Sequence, residues 1–372
     1  MKFLRIDGKL QKDAQGKFIT VPDNYDNQPL TLEGKLLKTS AGLVGKKHKP
    51  ALNYITFTGE SSDFTLKATY KEWDGTVEYS TDHNTWTVWD GSEVSSSSQK
   101  LYLRGSGNTK FYTSEGARFV LSARAACSGN IQTLLEYSNP PAAVANNCYR
   151  SMFSGCTNLT AAPELPATTL ANFCYQVMFN GCTNLTAAPE LPATTLAGSC
   201  YYYMFNGCTN LTAAPELPAT TLASYCYSYM FSGCTSLTAA PELPATTLAH
   251  NCYRNMFYGC TSLTAAPELP ATTLESNCYQ SMFSGCTSLT AAPELPATTL
   301  ASSCYSYMFS GCTLLRISST QSLEYPTAWR IPSSGTISSK ASNWNIGMLK
   351  GTGGTFTSNP LRNTTYYGAW SK

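Results

Sequence analysis

The chain has 372 residues, with 25 Lys and Arg against 23 Asp and Glu and a formal charge of +2 at pH 7. A balance that close gives no global field of the kind that draws a protein onto nucleic acid. Only 13% of residues are charged, against a typical quarter, so Ser, Thr, Asn and Tyr must hydrate much of the surface.

The balance hides a segregation. Residues 1–147 carry 17 basic and 15 acidic groups, 148–312 carry 2 and 7, and 313–372 carry 6 and 1. The start, MKFLRIDGKLQKDAQGKF, has no apolar region of a secretory signal, which gives the expectation of a protein outside the standard secretory route. No stretch approaches about eighteen apolar residues, the length that crosses a bilayer, so no membrane insertion is expected.

Residues 1–50 mix turn residues with charge, as in VPDNYDNQPLTLEGKLLK and GKKHKP. They are predicted to be an extended N-terminal arm that docks onto another protein, or a disordered tail. Residues 51–137 hold short β-rich runs, among them NYITFT, FTLKAT, TVEYS, TWTVW and LYLR, separated by turn signals such as WDG and GSGN. That spacing predicts an antiparallel β-sandwich. Trp73, Trp86 and Trp89 are expected in its core, with an exposed aromatic platform as the alternative.

From 138 to 315 one unit of 26 residues recurs, for example CYRSMFSGCTNLTAAPELPATTLANF from Cys148. A fixed period of that size signals a stacked solenoid. Cys148, Met152 and Cys156 at four-residue steps, with Tyr149 and Phe153 beside them, read as a short helical turn with one apolar face. Gly155 ends it. NLTAA is the strand candidate, and Pro163 and Pro166 limit it because proline cannot donate to a ladder. Stacking would join Leu159, Leu185, Leu211, Leu237, Leu263 and Leu289 into one spine. Residues 316–372 diverge as a C-terminal cap must, with Trp329, Trp344 and Trp370 expected over the open end. The fold class is thus mostly β with short helical turns: arm, antiparallel β-sandwich and capped leucine-rich-repeat solenoid.

Fourteen of the 15 cysteines form seven pairs eight residues apart, from Cys148/Cys156 to Cys304/Cys312; Cys127 stands outside them. A ladder of buried thiols is expected, since free Cys packs as a small apolar residue; disulfides are the alternative. Three histidines and no CxxC spacing predict no metal. Glu164, Glu190, Glu216, Glu242, Glu268 and Glu294 hold equivalent places and read as a solvated face, or as a stripe for cations. No GxSxG, HExxH or phosphate loop is present, so no catalytic residue, no cofactor and no enzymatic activity are expected.

The copies differ at few positions, and those mark the exposed side. Arg150, Tyr202, Tyr203, Tyr229, Arg254, Tyr258 and Tyr307 are predicted to line one ridge, the candidate ligand-binding surface, because Tyr and Arg are favoured contact residues. Neutral variation on a solvent face is the competing account.

The frame MFxGCTxLTAAPELPATTLAxxCYxx, over about 148–315, resembles the leucine-rich repeats of BspA-like bacterial proteins. The chain departs from that pattern by placing Pro163 inside the expected strand and by lacking Ile-rich strands. The flanks VEYSTDHNTWTVWDG, LYLRGSGN, CSGNIQTLL and GTGGTFTSNPLRNTTYYGAW resemble virion-associated fibre proteins of phages that infect gut bacteria. Together these resemblances imply a non-enzymatic attachment protein on a virion surface. It would hold a capsid or other virion protein through its arm, bind a host surface glycan or protein, and form a homo-oligomer such as a trimer. The alternatives are a capsid decoration without a ligand and a bacterial cell-surface adhesin.

Overall fold

The computed structural model describes residues 53–112, 118–338 and 341–369, together with short strands among the first 43 residues. The chain divides into two compact units, Met1–Asn53 and Tyr54–Lys372. In the first, two-residue strands pair antiparallel: Lys2–Phe3 with Thr20–Val21, Arg5–Ile6 with Lys9–Leu10, Thr31–Leu32 with Lys35–Leu36, and Lys38–Thr39 with Gly42–Leu43. The rest of the expected arm lies outside the described residues.

The second unit begins with two sheets that share one core. The larger runs in the order Thr87–Val88, Thr76–Ser80, Lys100–Ser106, Ile55–Gly59, Ala125–Ser128 and Leu159–Ala161, antiparallel except for its last pair. The smaller orders Val94–Ser95, Thr65–Ala68 and Phe119–Leu121. Alternation explains the burial: KLYLRGS sends Leu101 and Leu103 inward to meet Ile55, Phe57, Leu66 and Phe119, as a strand with period two must. Trp73 and Trp89 are buried there, stacked at 5.3 Å. Trp86 is not in this core. It precedes the edge strand Thr87–Val88 and lies half-buried over the guanidinium of Arg104.

From Ala145 the copies stack as successive coils. The predicted helical turn does not form; the described residues of the second unit contain one 3-10 helix, Ile131–Leu134, and no α-helix. Every fourth residue of each CYxxMFxGC run is left-handed instead: Asn147 (φ 59°), Ser151 (φ 62°) and Gly155 (φ 75°) in the first coil, Phe173, Val177 and Gly181 in the second. The backbone donors then alternate. Met152, Ser154 and Cys156 donate three residues back, to Tyr149, Ser151 and Phe153, whereas Tyr149, Ser151, Phe153 and Gly155 donate to Cys174, Gln176, Met178 and Asn180 of the next coil. An α-helix would keep all these bonds to itself. Chained turns give half of them to the neighbouring coil, so coils are joined by backbone as well as by packing.

This places one residue of each kind above its equivalent. Tyr149, Tyr175, Tyr201, Tyr227, Tyr253, Tyr279 and Tyr305 stack at 5.7–5.9 Å with ring planes 4–13° apart. Phe153 through Phe309 form a second column at 5.5–5.8 Å. The leucine spine, Leu159 to Leu289, is fully buried. All 15 cysteines are buried and free, which leaves no disulfide in the ladder.

NLTAA forms a strand only in the first copy, where Leu159–Ala161 pairs parallel with Ala125–Ser128. Later copies keep single bridges, such as Ala187 to Ala213 and Ala265 to Ala291. The prolines that follow cannot extend the ladder.

Both ends of the stack are closed by substitutes for the missing coil. Phe111 donates its N–H to Cys148 and stacks on Tyr149 at 6.1 Å, while Phe119 donates to Met152 and meets Phe153 edge-on at 5.5 Å. Phe119, from the smaller sheet, and Phe111, from the loop before it, thus begin the two aromatic columns. At the far end, residues 342–351 repeat the turn run once more, with Asn343, Gly347 and Gly351 left-handed and Trp344, Ile346, Met348 and Lys350 accepting from Tyr305, Tyr307, Phe309 and Gly311. The sequence reading did not foresee this additional run. A three-stranded sheet, Ile317–Ser318, Thr364–Gly368 and Thr327–Ile331, is inserted around it. Trp329 is buried against Phe309, and Trp344 meets Tyr305 edge-on; Trp370 lies outside the described residues. No helix of the described residues is long and apolar enough to cross a membrane.

Candidate functional site

The candidate residues lie at or beside the left-handed turn positions. Arg150, Tyr202 and Arg254 occupy one position of the 26-residue unit; Tyr203, Tyr229 and Tyr307 occupy the next, each of these three with φ of 57–58°. Tyr258 stands just before its turn glycine and is exposed.

Four of the seven come together. Tyr203 and Tyr229, one coil apart, lie face to face at 4.3 Å with planes 8° apart. Tyr202 packs edge-on against Tyr203 at 4.5 Å and against Tyr229 at 6.1 Å. The Arg254 guanidinium reaches 5.9 Å from the Tyr229 ring, the outer limit of a cation–π contact. Crowding withdraws water from the rings: burial first, then the neighbouring Tyr229, raises the Tyr203 phenol above its usual pKa, and burial raises Tyr202. These hydroxyls are neutral donors and acceptors at physiological pH.

Two further residues belong to the patch. Tyr225 approaches Tyr202 edge-on at 6.2 Å, and His250 approaches Tyr225 at 5.6 Å. The available signal was the four-residue step from Tyr225 to Tyr229, which puts both on successive left-handed positions. The remaining candidates sit elsewhere. Arg150 is over the Tyr112 ring at 4.5 Å, at the start of the stack. Tyr307 lies at its other end, over Gly347, where any Cβ would strike its ring.

The glutamate row is exposed and borders shallow clefts between neighbouring PELP segments. The clefts hold about 430 Å³ beside Glu216 and Glu242, 550 Å³ beside Glu242 and Glu268, and 260 Å³ beside Glu268 and Glu294. Proline, alanine and leucine line them beside the glutamates. Among the described residues no three of His, Cys, Asp and Glu converge as metal ligands.

Residues 145–264 and 201–328 match the BspA type Leucine rich repeat region, in 6 copies. No curated protein and no solved structure matches the chain.

Proposed function

We propose that this chain, whose residues 145–328 are a BspA type leucine-rich repeat region, is a non-enzymatic attachment protein built as a capped solenoid. The patch formed by Tyr202, Tyr203, Tyr225, Tyr229, His250 and Arg254 holds a glycan or protein on a host cell surface. The repeat family supports the coarser reading, a surface or adhesion type of repeat protein. The flanks, through their resemblance to phage fibre proteins, support a virion surface as the location, with a bacterial cell surface as the alternative.

One observation carries the ligand-binding part. Tyr203 on one coil and Tyr225 and Tyr229 on the next occupy backbone conformations that cost about 1–2 kcal/mol for a residue with a Cβ, where most other copies use Ser or Asn. Their rings form a continuous platform instead of pointing apart into water. Large, stiff, amphipathic rings give contact area with little entropy to lose. Equivalent clefts and tyrosines on a repeating frame suit a repeating polymer, because weak contacts combine through effective concentration.

The test is binding of the full chain to panels of gut bacterial cells and their purified capsular glycans, beside the double variant Tyr203→Ala/Tyr229→Ala. The parent binds at least one strain, and the variant loses tenfold or more, about 1.4 kcal/mol. Equal binding by the variant removes the patch from the function. Failure of both to bind any panel member makes the protein a structural decoration whose stack adds only bulk.

A further inference from the structure

The outer face of the six-stranded sheet carries a second aromatic surface, made of residues that the repeat region does not supply. Alternation along Lys100–Ser106 puts Leu101 and Leu103 in the core and Tyr102 and Arg104 on the opposite side. Glu78 is directly across from Arg104 in the ladder and accepts from its Nε at 2.7 Å. The guanidinium lies between two rings, with its centre 4.1 Å from that of Trp86 and 4.4 Å from that of Tyr137. Tyr54 closes the group from below, edge-on to Trp86 at 5.1 Å and to His83 at 5.3 Å. His83 lies nearly flat on Tyr102, 4.7 Å away.

The exposed part of this group is held in place by its own turn. The Asp82 carboxylate accepts the N–H groups of Asn84 at 2.8 Å and Thr85 at 2.7 Å, and the hydroxyl of Ser80 at 2.9 Å. His83, left-handed at φ 64°, is presented from the middle of that turn, and Trp86 follows it. His83 is exposed, whereas Trp86, Tyr102 and Arg104 are half-buried.

Charge decides what fits. The cation–π seat between Trp86 and Tyr137 is already filled by Arg104, and Glu78 offsets its charge, so a cationic ligand finds its place taken. A purely apolar segment would bury the Arg104–Glu78 pair without replacing its water, which costs free energy. A sugar ring meets both conditions. Its C–H face packs on the aromatic rings, while adjacent hydroxyls accept from the remaining guanidinium N–H groups and donate to the carboxylate.

We propose that Trp86, His83, Tyr102, Arg104 and Glu78 form a saccharide-binding site for neutral sugars on the outer face of the sheet, separate from the tyrosine patch of the repeats. The attachment reading places one contact surface on the molecule; this site adds another whose ligand class is set by its own chemistry.

The experiment titrates full-length protein with neutral oligosaccharides of glucose, galactose, mannose and N-acetylglucosamine, read by calorimetry and by tryptophan fluorescence. At least one of them binds the parent, and Trp86→Ala and Glu78→Gln each weaken that binding tenfold or more. His83→Ala, a change at an exposed ring that leaves the core intact, weakens it at least threefold with an unchanged melting temperature. Tyr203→Ala/Tyr229→Ala binds these sugars as the parent does, which separates this site from the patch on the repeats. The proposal is overturned if no oligosaccharide binds, if His83→Ala and Glu78→Gln bind like the parent, or if the loss follows the repeat variant instead.

Discussion

Cys208 donates its thiol proton to the carbonyl oxygen of Phe179, in the preceding coil, at 3.1 Å. The same bond recurs from Cys182, Cys234, Cys260, Cys286 and Cys312 to the phenylalanine 29 residues earlier, at 3.0–3.1 Å. Each of these carbonyls also accepts the N–H of its own coil's cysteine. The thiol therefore satisfies a second lone pair inside the stack, where water cannot reach. This gives these six cysteines a structural task that requires them protonated.

That requirement has a pH signature. Among these donors, burial pushes Cys208, Cys260 and Cys312 up to about 12. An unfolded thiol titrates near about 8.5, so the folded chain holds these protons more tightly than the unfolded one. Their stabilisation is complete below the unfolded value and is lost as pH rises from there toward 12. The melting temperature should be flat in this respect up to about pH 8 and fall with increasing slope above pH 9. A melting temperature unchanged between pH 8 and 11 would contradict the assignment.

Left-handed positions make opposite predictions for two neighbours in the pattern. Val177 is β-branched at φ 59°, and Gly207 sits at φ 72°. Val177→Asn should raise stability by about 0.5–1 kcal/mol, because Asn tolerates this region and a β-branched residue does not. Gly207→Ala should lower it by about 1–2 kcal/mol through conformation alone, since its nearest new neighbour, the Gly181 Cα at 3.8 Å, is in ordinary contact. Denaturant unfolding of both variants measures the pair.

The tyrosine column is not uniform in its hydroxyls. Tyr149 donates to the Ile131 carbonyl at 3.2 Å, whereas the buried hydroxyls of Tyr175, Tyr227 and Tyr279 have no partner. An unpaired buried polar group costs about 1–3 kcal/mol. Tyr227→Phe should therefore be neutral or stabilising by up to about 1 kcal/mol, and Tyr149→Phe should be destabilising. The order of the two unfolding midpoints checks this, and the reverse order would refute it.

The period, the leucine spine and the burial of Cys, Tyr, Met and Phe could be read from the repeat because identical units have to bury identical positions. The turn geometry could not. Apolar residues at Cys148, Tyr149, Met152, Phe153 and Cys156 fall on one face of a helix and equally on one side of chained four-residue turns. The discriminating positions hold Asn147, Ser151 and Gly155 in one coil but Phe173 and Val177 in the next, and neither Phe nor Val advertises a left-handed backbone. The closing run at 342–351 was hidden because it shares little with the repeats beyond Met348 and Gly351. Among the ridge residues, variation identified Tyr202, Tyr203, Tyr229 and Arg254, which meet. It also picked out Arg150 and Tyr307, which the ends of the stack engage through Tyr112 and Gly347. Trp86 was misplaced in the core because a strand aromatic does not reveal which face it takes.

The two ends never meet the middle. Phe111 and Phe119 touch the first Tyr and Phe, and Trp344 touches the last Tyr. The cap also reaches back one coil, where Trp329 Nε1 donates to Pro293 and the Ser333 N–H to Leu295, and the coils between see only copies of themselves on either side. Removing or inserting one 26-residue block therefore leaves both junctions as they are, and the distance between the sheet domain and the terminal cap changes by one fixed step. A gene with near-identical tandem blocks gains or loses such blocks readily by recombination. The molecule is in this respect a ruler whose length can be reset in whole units without redesigning either end.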